Sequence, residues 1–245
     1  MESTSPAQLD TVSQLETPAA SRHPLRWLFF PLALLYHELL LRAFDSGTVF
    51  FDAALAPTAL TALGLGLLIS LLANALPCRR VSRWAALILT LLWTVYVCVE
   101  YCCKSYFKSY FALTFMVTMT GHVVGDFAGT IPDVVLPRLP FILLALVPPV
   151  LAIVLRRRIV PEVSMGRRGL LVLALLALLT LGGGDAIGRF GPSAALFTYD
   201  FNTNSAVPRF GLNTALRLEL TYAVTGVPTP PLEPLPEPDP EPEPE

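Results

Sequence analysis

The residues best suited to chemistry at a membrane surface form a tandem repeat, KSYFKSYF, that starts at Lys104. In a helix, residues four apart share a face, so the two lysines, the two tyrosines and two phenylalanines would stack in pairs. Lysines attract anionic headgroups, and aromatic rings favour the headgroup depth. The repeat predicts a lipid headgroup or interface site, whereas a plain aromatic belt without lipid preference is the alternative. The residues concerned are Lys104, Tyr106, Phe107, Lys108, Tyr110 and Phe111.

Three further pairs of polar residues stand four positions apart and could pair along a helix. In a membrane helix such pairs either build a polar floor beneath an external site or fix helix depth and packing, and the spacing leaves both open. Two ligands are too few for a metal site, so the third pair predicts none. The pairs are Glu38 with Arg42, Glu100 with Lys104, and His122 with Asp126.

The four cysteines give only a weak metal or disulfide signal. Cys98 and Cys102 lie one helical turn apart, but no second pair matches them. We expect small apolar thiols packed between helices.

Composition places these residues in a membrane protein. Of the 245 residues 53% are hydrophobic and only 15% charged, and the mean hydropathy is +0.59, whereas soluble domains carry about a quarter charged residues. No basic stripe suits a nucleic acid, so that partner is excluded. Five apolar runs approach the roughly 20 residues that cross a bilayer. They are Leu25–Phe44, Leu55–Leu76, Trp84–Cys103, Val135–Leu155 and Gly169–Ala186, the last being the shortest.

These runs predict an all-α polytopic membrane protein with five transmembrane helices in residues 25–186. Residues 1–24 are polar and predict a disordered cytoplasmic leader. The glycine-rich, polar stretch between the third and fourth runs predicts an amphipathic or re-entrant outer loop, because exposed backbone is costly in hydrocarbon. Residues 187–226 predict an extracellular juxtamembrane segment, and residues 227–245 a Pro/Glu-rich linker or tail.

The juxtamembrane segment contains a helical stripe. Leu212, Leu216, Leu220 and Ala223 fall at helical spacing. They predict a short amphipathic helix that rests on the membrane or docks on a partner domain.

Basic residues predict the orientation of the five runs. With a cytoplasmic N-terminus, ten arginines lie inside and only four basic residues lie in the outer loops. The positive-inside rule then places the C-terminal part outside the cell.

Prolines interrupt two of the runs. Pro31 lies within the first, and Pro148 and Pro149 lie in the middle of the fourth, where they remove helix donors and predict a kink or unwinding. In transporters such a break creates an ion site. The alternative is a kink whose freed carbonyls are satisfied by neighbouring helices.

Several stretches, taken in order, resemble a known family. They are HELLLRAFDSGTVFF, a second run ending at Pro77, SYFALTFMVTMTG followed by GDF, Pro148–Pro149, and PRFGLNTALRLELTYAVTG. From about Leu25 to Gly226 this order is similar to the membrane half of the lipoteichoic acid synthase-like family of bacterial phosphoglycerol transferases.

The resemblance implies a fold and an activity. Family members join five transmembrane helices, through juxtamembrane helices, to an extracellular α/β domain of the alkaline-phosphatase and sulfatase type. There a threonine beside a divalent metal, commonly manganese, takes glycerol phosphate from a phospholipid and passes it to an acceptor.

The sequence departs from the family after Gly226, where no catalytic domain follows. We therefore expect no catalytic residue and no cofactor in this chain, with the manganese-type metal belonging to the missing domain. The expected role is to anchor the enzyme in the bacterial cell membrane and to present anionic phospholipid to a catalytic domain in cis or to a separate partner. A small membrane transporter and a non-catalytic scaffold remain the alternatives.

Overall fold

The computed structural model describes residues 25–45, 47–76, 78–113, 129, 131–159 and 166–228, and every regular element among them is a helix. Five helical stretches are long and apolar enough to cross a membrane, which confirms the all-α polytopic prediction. The helices are α1 (Leu25–Phe44), α2 (Leu55–Ala75), α3 (Arg79–Phe107), α4 (Ile131–Val135), α5 (Leu139–Ala145), α6 (Val147–Ile159), α7 (Arg167–Phe190), α8 (Ala194–Thr198), α9 (Thr203–Phe210) and α10 (Leu212–Thr225).

The fourth span consists of α4, a 3₁₀ turn at Leu136–Arg138, α5 and α6. The predicted leader, the predicted pair His122 and Asp126, and the tail from residue 229 lie outside the described residues.

Helix α1 packs against α2, α3 and the fourth span, and α2 packs along α7. Small residues permit the close approach of α2 and α7. A Cβ on Gly64 would lie 2.7 Å from Leu181, and one on Gly184 would lie 2.7 Å from Thr61. Such residues let helix backbones approach in a membrane, where lipid supplies no hydrophobic drive for association.

The proline in α1 does not break the helix. Pro31 lacks the N–H that would bond to the carbonyl of Trp27, and the hydroxyl of Ser70 in α2 donates to that carbonyl at 3.2 Å. The predicted interruption at Pro31 is therefore wrong, because the neighbouring helix satisfies the freed carbonyl and α1 continues to Phe44.

The fourth span does break beside its proline pair. Helix α5 ends at Ala145 and α6 begins at Val147. Pro148 and Pro149 cannot donate to the carbonyls of Leu144 and Ala145.

Two side chains of α1 reach these carbonyls. The hydroxyl of Tyr36 donates to Leu144 at 2.8 Å, and Nε2 of His37 lies 3.1 Å from the oxygen of Ala145. His37 is 1% exposed. The kink is thus present, and side chains of a neighbouring helix contact its freed carbonyls. These carbonyls therefore do not need an ion as a partner.

Three spans are longer than the predicted runs. Helix α3 extends over Arg79–Phe107, the fourth span over Ile131–Ile159 and α7 over Arg167–Phe190, so the fifth span is not the shortest. Residues 182–185, with the sequence GGGD, stay helical because Gly184 packs on α2 and Asp185 has an ionic partner in Arg217.

Residues 191–226, which we call the cap, fold back onto the spans at the ends of α1 and α3. We call this the cap end of the bundle. Phe197, Val207, Phe210 and Leu212 of the cap join Leu41 in one buried cluster. The cap is therefore packed against the membrane helices.

The predicted apolar stripe of α10 is divided between the core and the surface. Leu212 is buried and Leu216 half-buried, whereas Leu220 is 48% exposed and Ala223 is exposed. The carboxylate of Glu38 in α1 binds Leu212 and Asn213 at the start of α10, and these contacts restrict the rotation of the helix.

Candidate functional site

The cap end of the bundle holds most of the candidate polar residues, beginning with Glu38. One carboxylate oxygen of Glu38 accepts from the backbone N–H of Leu212 at 3.0 Å. The other accepts from the backbone and side-chain nitrogens of Asn213, both at 2.6 Å. A carboxylate at this position satisfies the free N–H groups of α10 and complements its helix dipole.

The residue before α10 makes this contact possible. Gly211 has φ of +84°, a conformation that favours glycine. A Cβ there would also lie 2.9 Å from Glu38 Oε2 and 2.6 Å from Thr58. Glu38 thus fastens the last helix of the cap to the first span.

Glu38 and Arg42, predicted as a pair, each have another direct partner in the structure. Arg42 lies 2.5 Å from a carboxylate oxygen of Asp52 and donates to the carbonyl of Val49 at 3.2 Å. These contacts fix the loop after α1 and leave Glu38 to the cap.

The predicted pair of Glu100 with Lys104 is also replaced. Glu100 is fully buried and accepts from the backbone N–H of Phe111 at 3.2 Å. The ammonium of Lys104 lies 4.8 Å from the ring centroid of Tyr110, a cation–π distance. Both contacts hold the chain that leaves α3.

The tandem repeat does not share one helical face, contrary to the prediction. Helix α3 ends at Phe107, and Lys108 has φ of +61° in the left-handed region. That conformation is a common helix stop, so the second copy of the repeat leaves the helix axis.

Tyr110, from the second copy, is buried and only 4% exposed. Its hydroxyl donates to Asp45 at 3.0 Å, and its backbone N–H donates to the side-chain oxygen of Asn204 at 2.8 Å. Burial, and then the negative charge of Asp45, raise the pKa of Tyr110 above its usual value. Tyr110 is therefore a neutral donor that joins α1, α3 and the cap, and it is not available to a headgroup.

Three residues of the predicted interface site are exposed. They are Tyr106 and Phe107, at 44% and 46%, and Lys108. Phe111 packs edge-on against Phe107 at 5.3 Å between centroids. We call Tyr106, Phe107 and Lys108 the α3 edge; it joins two lipid-compatible rings to one cation at the end of a span.

A second fastening was missed by the sequence analysis. The guanidinium of Arg217 in α10 makes a two-point ion pair with Asp185 in α7. In the cap, the hydroxyl of Tyr222 donates to the carbonyl of Phe197 at 2.6 Å. An aspartate in an apolar run was the available signal, because such a charge needs a partner.

The described residues offer no metal centre. No three His, Cys, Asp or Glu side chains in this part of the chain come together as a metal site. The four cysteines are free thiols, of which Cys98 and Cys102 are half-buried. The contacts of Glu38, Tyr110 and Asp185 can hold and orient the cap at a membrane surface.

No family model, curated protein or solved structure matches the chain.

Proposed function

We propose that this chain is the membrane-anchoring and lipid-presenting module of a lipoteichoic acid synthase-like phosphoglycerol transferase in the bacterial cell membrane. It acts on anionic lipid of the outer leaflet and works with an extracellular catalytic domain, in cis or as a separate partner. The observation that carries the proposal is that α10 is fastened to two spans. Glu38 accepts hydrogen bonds at the start of α10, and Asp185 forms an ion pair with Arg217 of α10.

Two fastenings to different spans restrict both the position and the rotation of α10. Glu38 belongs to the first span and Asp185 to the fifth. A partly buried ion pair and a buried carboxylate with three N–H donors resist separation, since each would leave polar groups unpaired in a site poor in water. A catalytic partner on the cap would thus be held at a fixed height above the lipid, as an enzyme acting on headgroups needs.

The α3 edge supplies the lipid preference in this proposal. Lys108 is exposed, whereas Lys104 is half-buried over the ring of Tyr110. One basic residue near an anionic surface contributes about 1 kcal/mol. Lys108 should therefore determine the preference for anionic lipid more than Lys104 does.

Spin-labelled lipids in nanodiscs test this assignment. Lys108→Gln should lower the association of phosphatidylglycerol relative to phosphatidylcholine about five-fold, which corresponds to about 1 kcal/mol. Lys108→Arg is the matched control and should keep the preference. An unchanged preference in Lys108→Gln would leave the α3 edge as an aromatic belt only.

The proposed orientation has the N-terminus in the cytoplasm and the cap outside. The excess of arginine at the opposite ends of the spans supports it, and Arg156, Arg157, Arg158, Arg167 and Arg168 are all exposed. A reporter that is active only outside the cell should work when fused after Gly226 and fail when fused after Arg158. The reverse pattern would overturn the orientation.

The transferase link is tested by activity in membranes. The resemblance implies a manganese-type metal, and the described residues do not fit one, so the metal would belong to the catalytic domain. Deleting the gene should abolish transfer of labelled glycerol phosphate from phosphatidylglycerol to acceptor, and the full gene should restore it. Unchanged transfer in the deletion strain would refute the assignment.

A transporter is not favoured by the break in the fourth span. Its freed carbonyls already have Tyr36 and His37 as partners. Flux assays in proteoliposomes of the whole chain should give no uptake above empty vesicles.

A further inference from the structure

An apolar crevice runs between the spans and the cap. It consists of two adjoining cavities that share Trp93 and Leu216. The first has a volume of about 260 Å³ and lies between α1, α2 and α3. The second, about 490 Å³, lies along α10 and is lined by Leu65, Leu220 and Val224 among others. The cavities extend from the bundle interior to the cap.

The first cavity reaches the surface that faces lipid. Leu89 and Leu92 of α3 line it and are 47% and 63% exposed. In a membrane those exposed leucines contact hydrocarbon, so the cavity is continuous with the acyl-chain region of the bilayer.

Water is a poor occupant of this cavity. A buried water needs two to four polar partners. On this wall Thr90 and His37 already have contacts, and the buried Nε1 of Trp93, which has no hydrogen-bond partner among the described residues, offers only one donor. Thr90 donates to the carbonyl of Ala86 at 2.8 Å, and the ring nitrogens of His37 face the carbonyls of Ala33 and Ala145. Apolar cavities of this kind stay dry or take an apolar guest.

A second helix is also a poor occupant. A helix with its side chains is about 10 Å across, so even one helical turn has a larger volume than this cavity of about 260 Å³. An extended hydrocarbon chain is narrow enough, and the bilayer supplies it at high concentration.

The cap side of the crevice is also mainly apolar, with the cation Arg217 on its wall. Arg217, Thr221 and Thr225 line the second cavity. The guanidinium of Arg217 is paired with Asp185, but its Nε has no hydrogen-bond partner among the described residues. A lipid phosphate at this rim would meet the guanidinium of Arg217.

We propose that the crevice holds one acyl chain of a membrane phospholipid, with the phosphate at the rim of Arg217. This inference rests on the lipid-presenting role proposed above and gives that role a specific site. The chain enters between Leu89 and Leu92 and lies against Trp93, beneath Leu216 of the cap. The lipid would thereby be held under the platform on which a catalytic partner docks.

Fluorescence quenching of Trp93 tests the occupant directly. Trp27→Phe and Trp84→Phe leave Trp93 as the sole tryptophan, since the chain has three. A matched protein retains only Trp84, which is 59% exposed and reports ordinary lipid contact. Both are reconstituted with phosphatidylglycerol brominated on its acyl chains.

A variant that fills the crevice separates bound lipid from surrounding lipid. Ala33→Phe places a ring in the first cavity, and Leu171→Phe, at a position 69% exposed on α7, is the control. We expect brominated chains to quench Trp93 at least half as strongly as Trp84. Ala33→Phe should reduce this at least two-fold, and Leu171→Phe should not change it.

Three results would overturn the proposal. Quenching of Trp93 by aqueous acrylamide instead of brominated chains would show water in the crevice. Quenching by neither would show a cavity that is empty or filled by protein, and equal quenching in Ala33→Phe would show surrounding lipid only. Should Ala33→Phe fail to fold, native mass spectrometry of the unchanged protein decides, since one retained phospholipid per chain is required and none would refute it.

The test also separates this site from the proposed function. Trp93 quenching needs no transferase activity and no partner, whereas the activity assay needs no knowledge of the crevice. A dry crevice with intact transfer would refute only the acyl-chain site. Bound lipid without transfer would refute only the enzyme assignment.

Discussion

Removing the carboxylate of Glu38 should release α10 from the bundle. Glu38 is 4% exposed and accepts three hydrogen bonds, two from Asn213 and one from Leu212. In Glu38→Ala the two backbone donors lose their partner where little water can replace it. Each loss costs roughly 1–3 kcal/mol, and the lost interaction with the helix dipole adds about 0.5 kcal/mol.

We therefore expect α10 to lose about 3 kcal/mol of local stability. Amide exchange at Leu218, in the middle of the helix, should accelerate about 150-fold, because 1.4 kcal/mol is a factor of ten. Glu38→Gln should have a smaller effect, near ten-fold, since one acceptor oxygen remains while the amide nitrogen faces the N–H of Leu212.

Hydrogen exchange and mass spectrometry in nanodiscs provide the measurement. Asp133→Ala is the control, because Asp133 is an exposed carboxylate in another span. Trypsin should also cut Glu38→Ala at Arg217 before it cuts the unchanged protein. If exchange in α10 stays within two-fold in Glu38→Ala, the capping argument is refuted, and so is the rigid platform that depends on it.

Two further predictions concern packing and pH. Gly66→Ala should lower the midpoint of thermal unfolding by several degrees, because its Cβ would overlap the backbone of Pro31. Gly182→Ala, whose Cβ meets nothing within 4 Å, should leave the midpoint unchanged or raised, and an equal loss in both would contradict the prediction. The raised pKa of Tyr110 keeps the folded phenol protonated, so its contribution to stability should be lost as the pH rises above 10.0, the value for an unperturbed tyrosine. Tyr110→Phe removes the bond to Asp45 and should lack this component of the alkaline loss; an identical pH profile would contradict it.

The number and approximate place of the spans could be predicted from sequence because hydrocarbon thickness demands long apolar runs. Where a predicted boundary was wrong, contacts with residues distant in sequence determined where the helix ends. The fifth run was predicted to end at Ala186, next to Asp185, yet Arg217 neutralises Asp185 and α7 continues to Phe190. A partner 32 residues away leaves no local pattern that an isolated run can reveal.

Local spacing also failed where the backbone changed direction. The KSYF repeat predicts two copies on one face, but the left-handed conformation of Lys108 sends Tyr110 into the core. Likewise the leucine stripe does not define the buried face of α10, because Leu212 is buried while Leu220 and Ala223 are exposed. Its buried face includes Asn213, since Glu38 binds that residue, and hydrophobicity alone cannot detect a polar contact.

The prolines show how these long-range partners limit the function. Pro31, Pro148 and Pro149 each free a carbonyl, and Ser70, Tyr36 and His37 each lie at one of them. Side chains that would mark an ion pathway in a transporter therefore serve the backbone here. Glu38 and Asp185 are likewise occupied, because they bind α10 of the cap. A function that depended on these groups would have to break the contacts that hold the fold. Lipid at the α3 edge and an acyl chain in the crevice would leave these contacts in place, so the proposed membrane-facing role is compatible with them.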